Sequence, residues 1–119
     1  FCGQPDKEGV YRDAVNRFID YASVNYRLKI DLNEVVKDYG YTMNYYRKIF
    51  KEETGVTPVE YLLDIRIEKA KDLLLHNFAV NEVANKVGFP DPYYFSKVFK
   101  KKTGVSPKDY KRTIQTNIN

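Results

Sequence analysis

The chain of 119 residues has one cysteine, one histidine, one methionine and no tryptophan. A lone Cys2 cannot close an internal disulfide, which fits a cytosolic, cytoplasmic setting. With His76 as its sole companion, no His/Cys metal cluster can be assembled. No Ser/His/Asp set, paired catalytic carboxylates or phosphate-cradling glycine loop is visible either. An enzyme reading has nothing to build on, and no metal or cofactor is expected. No apolar run approaches the roughly 18 residues that span a bilayer, and no secretory segment stands out, so no membrane partner is expected. The first residue is Phe1 rather than Met, which points to a piece of a longer protein.

What is present argues for a packed helical fold. Apolar residues make up 43% of the chain, and 11 Tyr and 7 Phe supply core-forming rings, so disorder is excluded. The net charge of +4 is unevenly spread. From Lys97 to Arg112 stand Lys97, Lys100, Lys101, Lys102, Lys108, Lys111 and Arg112 against Asp109 alone. A run of this kind forms a solvated face or meets an anionic partner.

The chain also repeats itself. Tyr45–Tyr61 and Tyr94–Tyr110 share 9 of 17 positions, and Val35–Tyr41 matches Val83–Phe89 once a one-residue insertion near Tyr93 is allowed. Two copies are too few for a solenoid, which needs about three units. They suggest two similar subdomains.

Periodicity and capping residues place the helices. Tyr11, Ala14, Val15, Phe18, Ile19 and Ala22 predict a first helix over about 9–26. Asp31 and Glu34 open a short second helix as a capping box, and Gly40 turns the chain. Thr42 caps a third over about 43–53 with Tyr46, Ile49 and Phe50 inward. Thr57, Pro58 and Glu60 start a fourth that runs to about Asn77, a rod of roughly 30 Å. The second copy repeats the order over about 80–87 and 92–102, and Ser106-Pro107 opens a last short helix. Ala79 is a poor cap where the first copy has Asp31. The expectation is an all-α fold of seven helices, two helix-turn-helix subdomains joined by a long central helix. Residues 1–9 read as a linker remnant, 10–60 as the first subdomain, 58–77 as the connecting helix, 78–113 as the second subdomain and 114–119 as a flexible tail.

A short helix, a glycine turn and a longer helix with a basic outer face outline a helix-turn-helix, whose second helix enters a major groove about 12 Å wide. Met43, Asn44, Tyr45, Arg47, Lys48 and Lys51 face outward in the first copy; Pro92, Tyr93, Tyr94, Ser96, Lys97 and Lys100 do so in the second. Arginine suits guanine O6/N7 and asparagine suits adenine N6/N7. Lys51, a turn further on, suits phosphate. Tyr45 and Tyr94 either stack on the nucleic acid or pack on protein neighbours. Arg66 either reaches phosphate or pairs with Asp64, Glu68 or an acidic residue of the first helix. Met43 has no evident partner, and His76 sits at a helix end, where positive charge suits the dipole. The connecting rod is close to the roughly 34–36 Å between successive major-groove faces.

The stretch Glu60-Tyr61-Leu62, Arg66-Ile67, Ala70, Leu73-Leu74, Val83-Ala84, Val87-Gly88-Phe89, Asp91, Tyr94–Lys97, Phe99-Lys100, Gly104, Ser106-Pro107 and Tyr110 resembles the AraC/XylS family of bacterial transcription regulators. The resemblance covers about Tyr11–Arg112 and extends to the output domains of YesN-like response regulators and hybrid sensors. It implies double-stranded DNA as partner, with Asn44, Arg47, Lys48, Tyr93, Ser96 and Lys97 at base edges. Phosphate contacts fall to Tyr45, Lys51, Arg66, Lys100, Lys101 and Lys102. It further implies an activator within a two-component system, RNA polymerase as a second partner, and an N-terminal sensor or receiver domain outside this chain. Pro90 and Pro92 depart from the family pattern, and Pro92 at the first helical position is expected to shorten the second reading surface. The rival reading is a helical protein-interaction module whose basic face meets an acidic protein.

Overall fold

The computed structural model describes residues 7–118, with side chains from 9 to 114. Cys2, the first six residues of the linker assignment and Asn119 lie outside the described residues. The helices are α1 (Lys7–Asn25), α2 (Leu32–Val36), α3 (Met43–Thr54), α4 (Pro58–Leu75), α5 (Val80–Lys86), α6 (Pro92–Thr103) and α7 (Pro107–Ile118). A 3-10 turn, Lys37–Tyr39, extends α2. No strand occurs among the described residues, and the all-α, seven-helix expectation holds. α7 is longer than the sequence suggested. Nothing after Pro107 is glycine or proline, so its hydrogen-bond ladder has no internal stop and continues to Ile118.

Two compact units divide the chain. The first takes residues up to Asn25 and Ile30–Leu62; the second takes Tyr26–Lys29 and everything from Leu63. The boundary therefore falls inside α4.

In the first unit, Ala14, Val15, Phe18 and Ala22 of α1 are buried, as are Val35 and Val36 of α2 and Tyr46, Ile49 and Phe50 of α3. Burying a side chain such as Phe18 contributes about 1.5–3 kcal/mol. The Phe18 and Phe50 rings meet edge to face at 5.5 Å. Tyr46 is fully buried, yet its hydroxyl donates to the Ala14 carbonyl at 2.8 Å and leaves no polar atom unsatisfied. The second unit builds the same arrangement from Ile67, Ala70, Leu74, Val83, Ala84, Val87, Phe89, Phe95, Val98 and Phe99. The repeat is legible in matched ring pairs: Phe50–Tyr61 at 5.8 Å and Phe99–Tyr110 at 5.3 Å.

Caps set where the helices begin. Thr42 Oγ1 accepts from the Tyr45 amide and Asp91 Oδ1 from the Tyr94 amide, so α3 and α6 start in the same way. Pro92 is the first residue of α6, but it does not shorten the helix: α3 and α6 both have 12 residues. The inserted residue lies in the turn, not near Tyr93. One residue, Tyr41, separates Gly40 from the Thr42 cap, whereas Phe89 and Pro90 separate Gly88 from the Asp91 cap. The Asp31 box is only half formed. Asp31 accepts from the Asn33 amide, while Glu34 turns to Lys37 at 2.9 Å. Ala79 makes no side-chain cap, as its methyl group dictates.

Candidate nucleic-acid interface

Because the insertion is absorbed before the caps, α3 and α6 keep a common register. Counted from Thr42 and Asp91, Asn44 corresponds to Tyr93, Arg47 to Ser96, Lys48 to Lys97 and Lys51 to Lys100. Each helix buries one face, Tyr46, Ile49 and Phe50 or Phe95, Val98 and Phe99, and the opposite face carries the candidates.

In the first unit, Asn44, Arg47, Lys48 and Lys51 are exposed, and Met43 is half-buried rather than outward. Arg47 Nη1 donates to Asn44 Oδ1 at 3.1 Å, so the two strongest candidate base readers are joined before any ligand arrives. Lys48 and Lys51 have no acidic partner among the described residues. Tyr45 is held differently from its expected phosphate role. Its hydroxyl bonds to that of Tyr11, and its ring lies edge-on to Tyr11 at 6.0 Å and to Tyr41 at 5.4 Å. The hydrogen bond with Tyr11 is the main reason its phenol is pushed up to about 12, with desolvation adding to it.

In the second unit, Tyr93 is 74% exposed, and Lys97 Nζ sits 5.5 Å from its ring centre as a one-turn cation–π pair. Ser96 is half-buried. Tyr94 lacks the tyrosine partner that Tyr11 gives Tyr45. Its ring packs edge-on against Phe89 at 5.7 Å, and no bond to its hydroxyl occurs among the described residues. Tyr94 is thus better placed than Tyr45 to offer an O–H to phosphate. Sequence reading placed Tyr45, not Tyr94, among the phosphate contacts, because the Tyr11 partner that distinguishes them lies 34 residues upstream of Tyr45.

Two phosphate candidates are taken by the fold. Arg66 is only 8% exposed. Its Nε donates to the Tyr26 carbonyl at 2.7 Å and its Nη2 to the Leu28 carbonyl at 3.0 Å, and the guanidinium carbon lies 5.8 Å from the Phe89 ring centre. Burial pulls its pKa below the ordinary arginine value, with Tyr94 opposing the shift. The carboxylates expected beside it pair elsewhere, Asp64 with Lys102 and Glu68 with Lys71. Arg66 therefore serves the second unit's interior, and Lys102 forms an ion pair with the half-exposed Asp64.

Other cations of the basic run are similarly occupied. Lys111 Nζ donates to the Phe78 carbonyl at 3.0 Å, and Arg112 approaches Asp109 at 3.5 Å. Lys100, Lys101 and Lys108 remain exposed with no acidic or carbonyl partner among the described residues. The face α6 offers to an anion is smaller than the sequence suggested, and it lies on the helix's last turn and the start of α7. Among the described residues no group of His, Cys, Asp and Glu side chains is placed to hold a metal ion. No described helix is long and apolar enough to cross a membrane.

This arrangement has close parallels. The helix-turn-helix domain family matches residues 35–113, which takes in both repeats. The lactose operon transcription activator of Staphylococcus xylosus is 30% identical over 84 residues, covering 70% of this chain and 30% of that protein. The chain spans about a third of the length of the curated relatives it matches. The C-terminal domain of AraT, a response regulator from Geobacillus stearothermophilus, superposes with a TM-score of 0.76 at 34% identity, covering 84% of each chain. The DNA-binding domain of AdpA, solved in complex with a target DNA, gives a TM-score of 0.79 at 22% identity and covers 87% of this chain and 95% of that one, a likeness of fold. On the family match and these shared elements, the chain belongs to the helix-turn-helix family of AraC-type DNA-binding domains.

Proposed function

We propose that this chain binds double-stranded DNA sequence-specifically, with α3 and α6 each entering a major groove and the two grooves adjacent along one face of the duplex. The observation that carries the reading is the common register of two capped 12-residue helices, each locked by aromatic residues on one face and presenting polar and cationic side chains on the other. Arg47 and Lys48 meet base edges in one groove, with Asn44 beside Arg47 on the same helix surface, and Tyr93, Ser96 and Lys97 do so in the next. Lys51, Lys100 and Lys101 neutralise phosphates, and Tyr94 and Lys108 join them. Phosphate contacts supply most of the affinity, and base edges supply discrimination. If about six phosphates are neutralised, the log–log salt slope is roughly −5.

The whole protein is proposed to be a cytoplasmic transcription activator of the response-regulator or hybrid-sensor type, with no enzymatic activity in this domain. Its sensor or receiver lies outside this chain, and RNA polymerase is a partner. What supports this is the naming of the relatives as an operon activator and a response regulator.

Selection of bound duplexes from a random pool tests the reading. Enrichment of a bipartite site, with halves about one helical turn apart, is the expected result. No preference among duplexes at about 0.15 M salt, together with saturable binding to an acidic protein, would instead establish the protein-interaction module. On the selected duplex, Arg47→Ala should cost about 1–3 kcal/mol and relax preference at one base pair. Unchanged discrimination in competition would remove Arg47 from the readers.

A further inference from the structure

We infer that Asn44 does not read a base of its own: it is a positioning residue that holds Arg47 for a guanine, so α3 specifies one G·C pair through a joined Asn44–Arg47 unit. The inference rests on the proposed DNA reading and refines it.

The two side chains are three residues apart on α3, the spacing that brings helix-surface neighbours together. Arg47 Nη1 donates to Asn44 Oδ1 at 3.1 Å, and both residues are exposed, so no core packing imposes the contact. Bidentate recognition of adenine needs the asparagine amide turned outward, with Oδ1 toward N6 and Nδ2 toward N7. An Oδ1 aimed along the helix at Arg47 turns the amide away from that pose. The guanidinium loses far less, because it carries several N–H donors in a fixed fork. One of the two Nη1 hydrogens is used, and an edge capable of meeting guanine O6 and N7 together stays available. A long arginine otherwise surrenders rotamer freedom on binding. Holding it beforehand removes part of that cost and favours one base in one register.

The second unit provides an internal contrast. The corresponding positions are Tyr93 and Ser96, which cannot form such a pair, and the cation there, Lys97, rests on the Tyr93 ring. A lysine is a point charge without a fork. Strong single-base discrimination should therefore come from α3.

The test uses this chain and the duplex selected by the unaltered protein, with single base-pair replacements across the half that Arg47→Ala identifies. Asn44→Ala should weaken discrimination at the Arg47-dependent G·C pair by about fivefold, the effect of a hydrogen bond of ordinary strength, and leave every other pair's preference unchanged. Asn44→Asp keeps the acceptor and lacks the amide donor. It should retain the G·C preference while weakening all duplexes alike through charge. In an Arg47→Ala background, Asn44→Ala should add nothing. Loss of preference at a separate A·T pair in both Asn44 variants would overturn the inference and make Asn44 a reader. A DNA-free measurement separates this from failure of the DNA reading. In the NMR spectrum of the unliganded chain, the Arg47 guanidinium signals should broaden or shift in Asn44→Ala and persist in Asn44→Asp. Arg47 signals indifferent to Asn44 would overturn the inference even if duplex selection succeeds. Failure to enrich any duplex would instead overturn the DNA reading.

Discussion

Gly40 and Gly88 occupy the same turn of the two repeats, yet replacing each with alanine should have different consequences. Both have left-handed backbone, with φ of +71° and +97°. A Cβ there costs about 1–2 kcal/mol in either turn. At Gly40 an added Cβ meets nothing within 4 Å, so that conformational cost is the whole effect. At Gly88 it would lie 2.9 Å from the Tyr26 and Arg27 carbonyl oxygens and 3.0 Å from the Arg27 carbonyl carbon. These are backbone atoms, and the Tyr26 oxygen is already held by Arg66 Nε at 2.7 Å. Making room means moving the Tyr26–Lys29 segment and stretching the Arg66 bonds to Tyr26 and Leu28. A weakened buried hydrogen bond costs about 1–3 kcal/mol. Gly40→Ala should therefore lose about 1–2 kcal/mol and Gly88→Ala about 2–5 kcal/mol, a large share of the roughly 5–15 kcal/mol typical of a domain. The chain lacks tryptophan, so urea unfolding is best followed by helical circular dichroism, comparing midpoints at constant m. The Arg66→Met, Gly88→Ala double variant should lose less than the sum of its parts, because a segment already freed from Arg66 can yield to the new methyl group. Equal losses at Gly40 and Gly88, or strict additivity with Arg66→Met, would refute the reasoning.

Lys100→Ala should weaken binding to all duplexes alike and flatten the log–log salt slope by about one unit, read from titrations at several salt concentrations; a sequence-selective loss would contradict a phosphate role. Ala79 already has the extended backbone of a cap, with φ −66° and ψ 149°, so Ala79→Asp should stabilise the second unit by about 1 kcal/mol, seen as a higher denaturation midpoint at unchanged m. The phenols of Tyr45, raised to about 12 chiefly by its bond with Tyr11, and of Tyr46, raised chiefly by burial, keep their protons longer in the native state. Their stabilising contribution is whole below the unfolded pKa of about 10 and is lost as pH rises through the folded values, so unfolding midpoints should fall steadily above about pH 10. Tyr11→Phe should let Tyr45 ionise at lower pH, monitored by phenolate absorbance, and an unchanged titration would remove the Tyr11 bond as the cause.

The helices and their inward faces were legible in the sequence because their causes are local. The Tyr46, Ile49, Phe50 and Phe95, Val98, Phe99 stripes follow from helical spacing, and the Thr42 cap, the Pro92 start and the weak Ala79 cap follow from residues within one turn. Most outward candidates were legible too, since a residue off the apolar stripe tends to face solvent, but Met43 and Ser96 are half-buried. Partner choice across the chain was not. Whether Arg66 meets phosphate, a carboxylate or a carbonyl depends on Tyr26 and Leu28, about forty residues away, and its burial appears only once α4 packs beside them. The same holds for Lys102 with Asp64 and for Tyr45 with Tyr11. A cation's spacing marks it as available for an anion, but an anion or carbonyl within the fold can claim it first. Only the tertiary structure decided which charges stayed outside, because that competition is settled by distances between residues remote in sequence. The sequence by itself determined two capped helices in matching register, because hydrogen-bond caps and the 3.6-residue repeat act over a few residues.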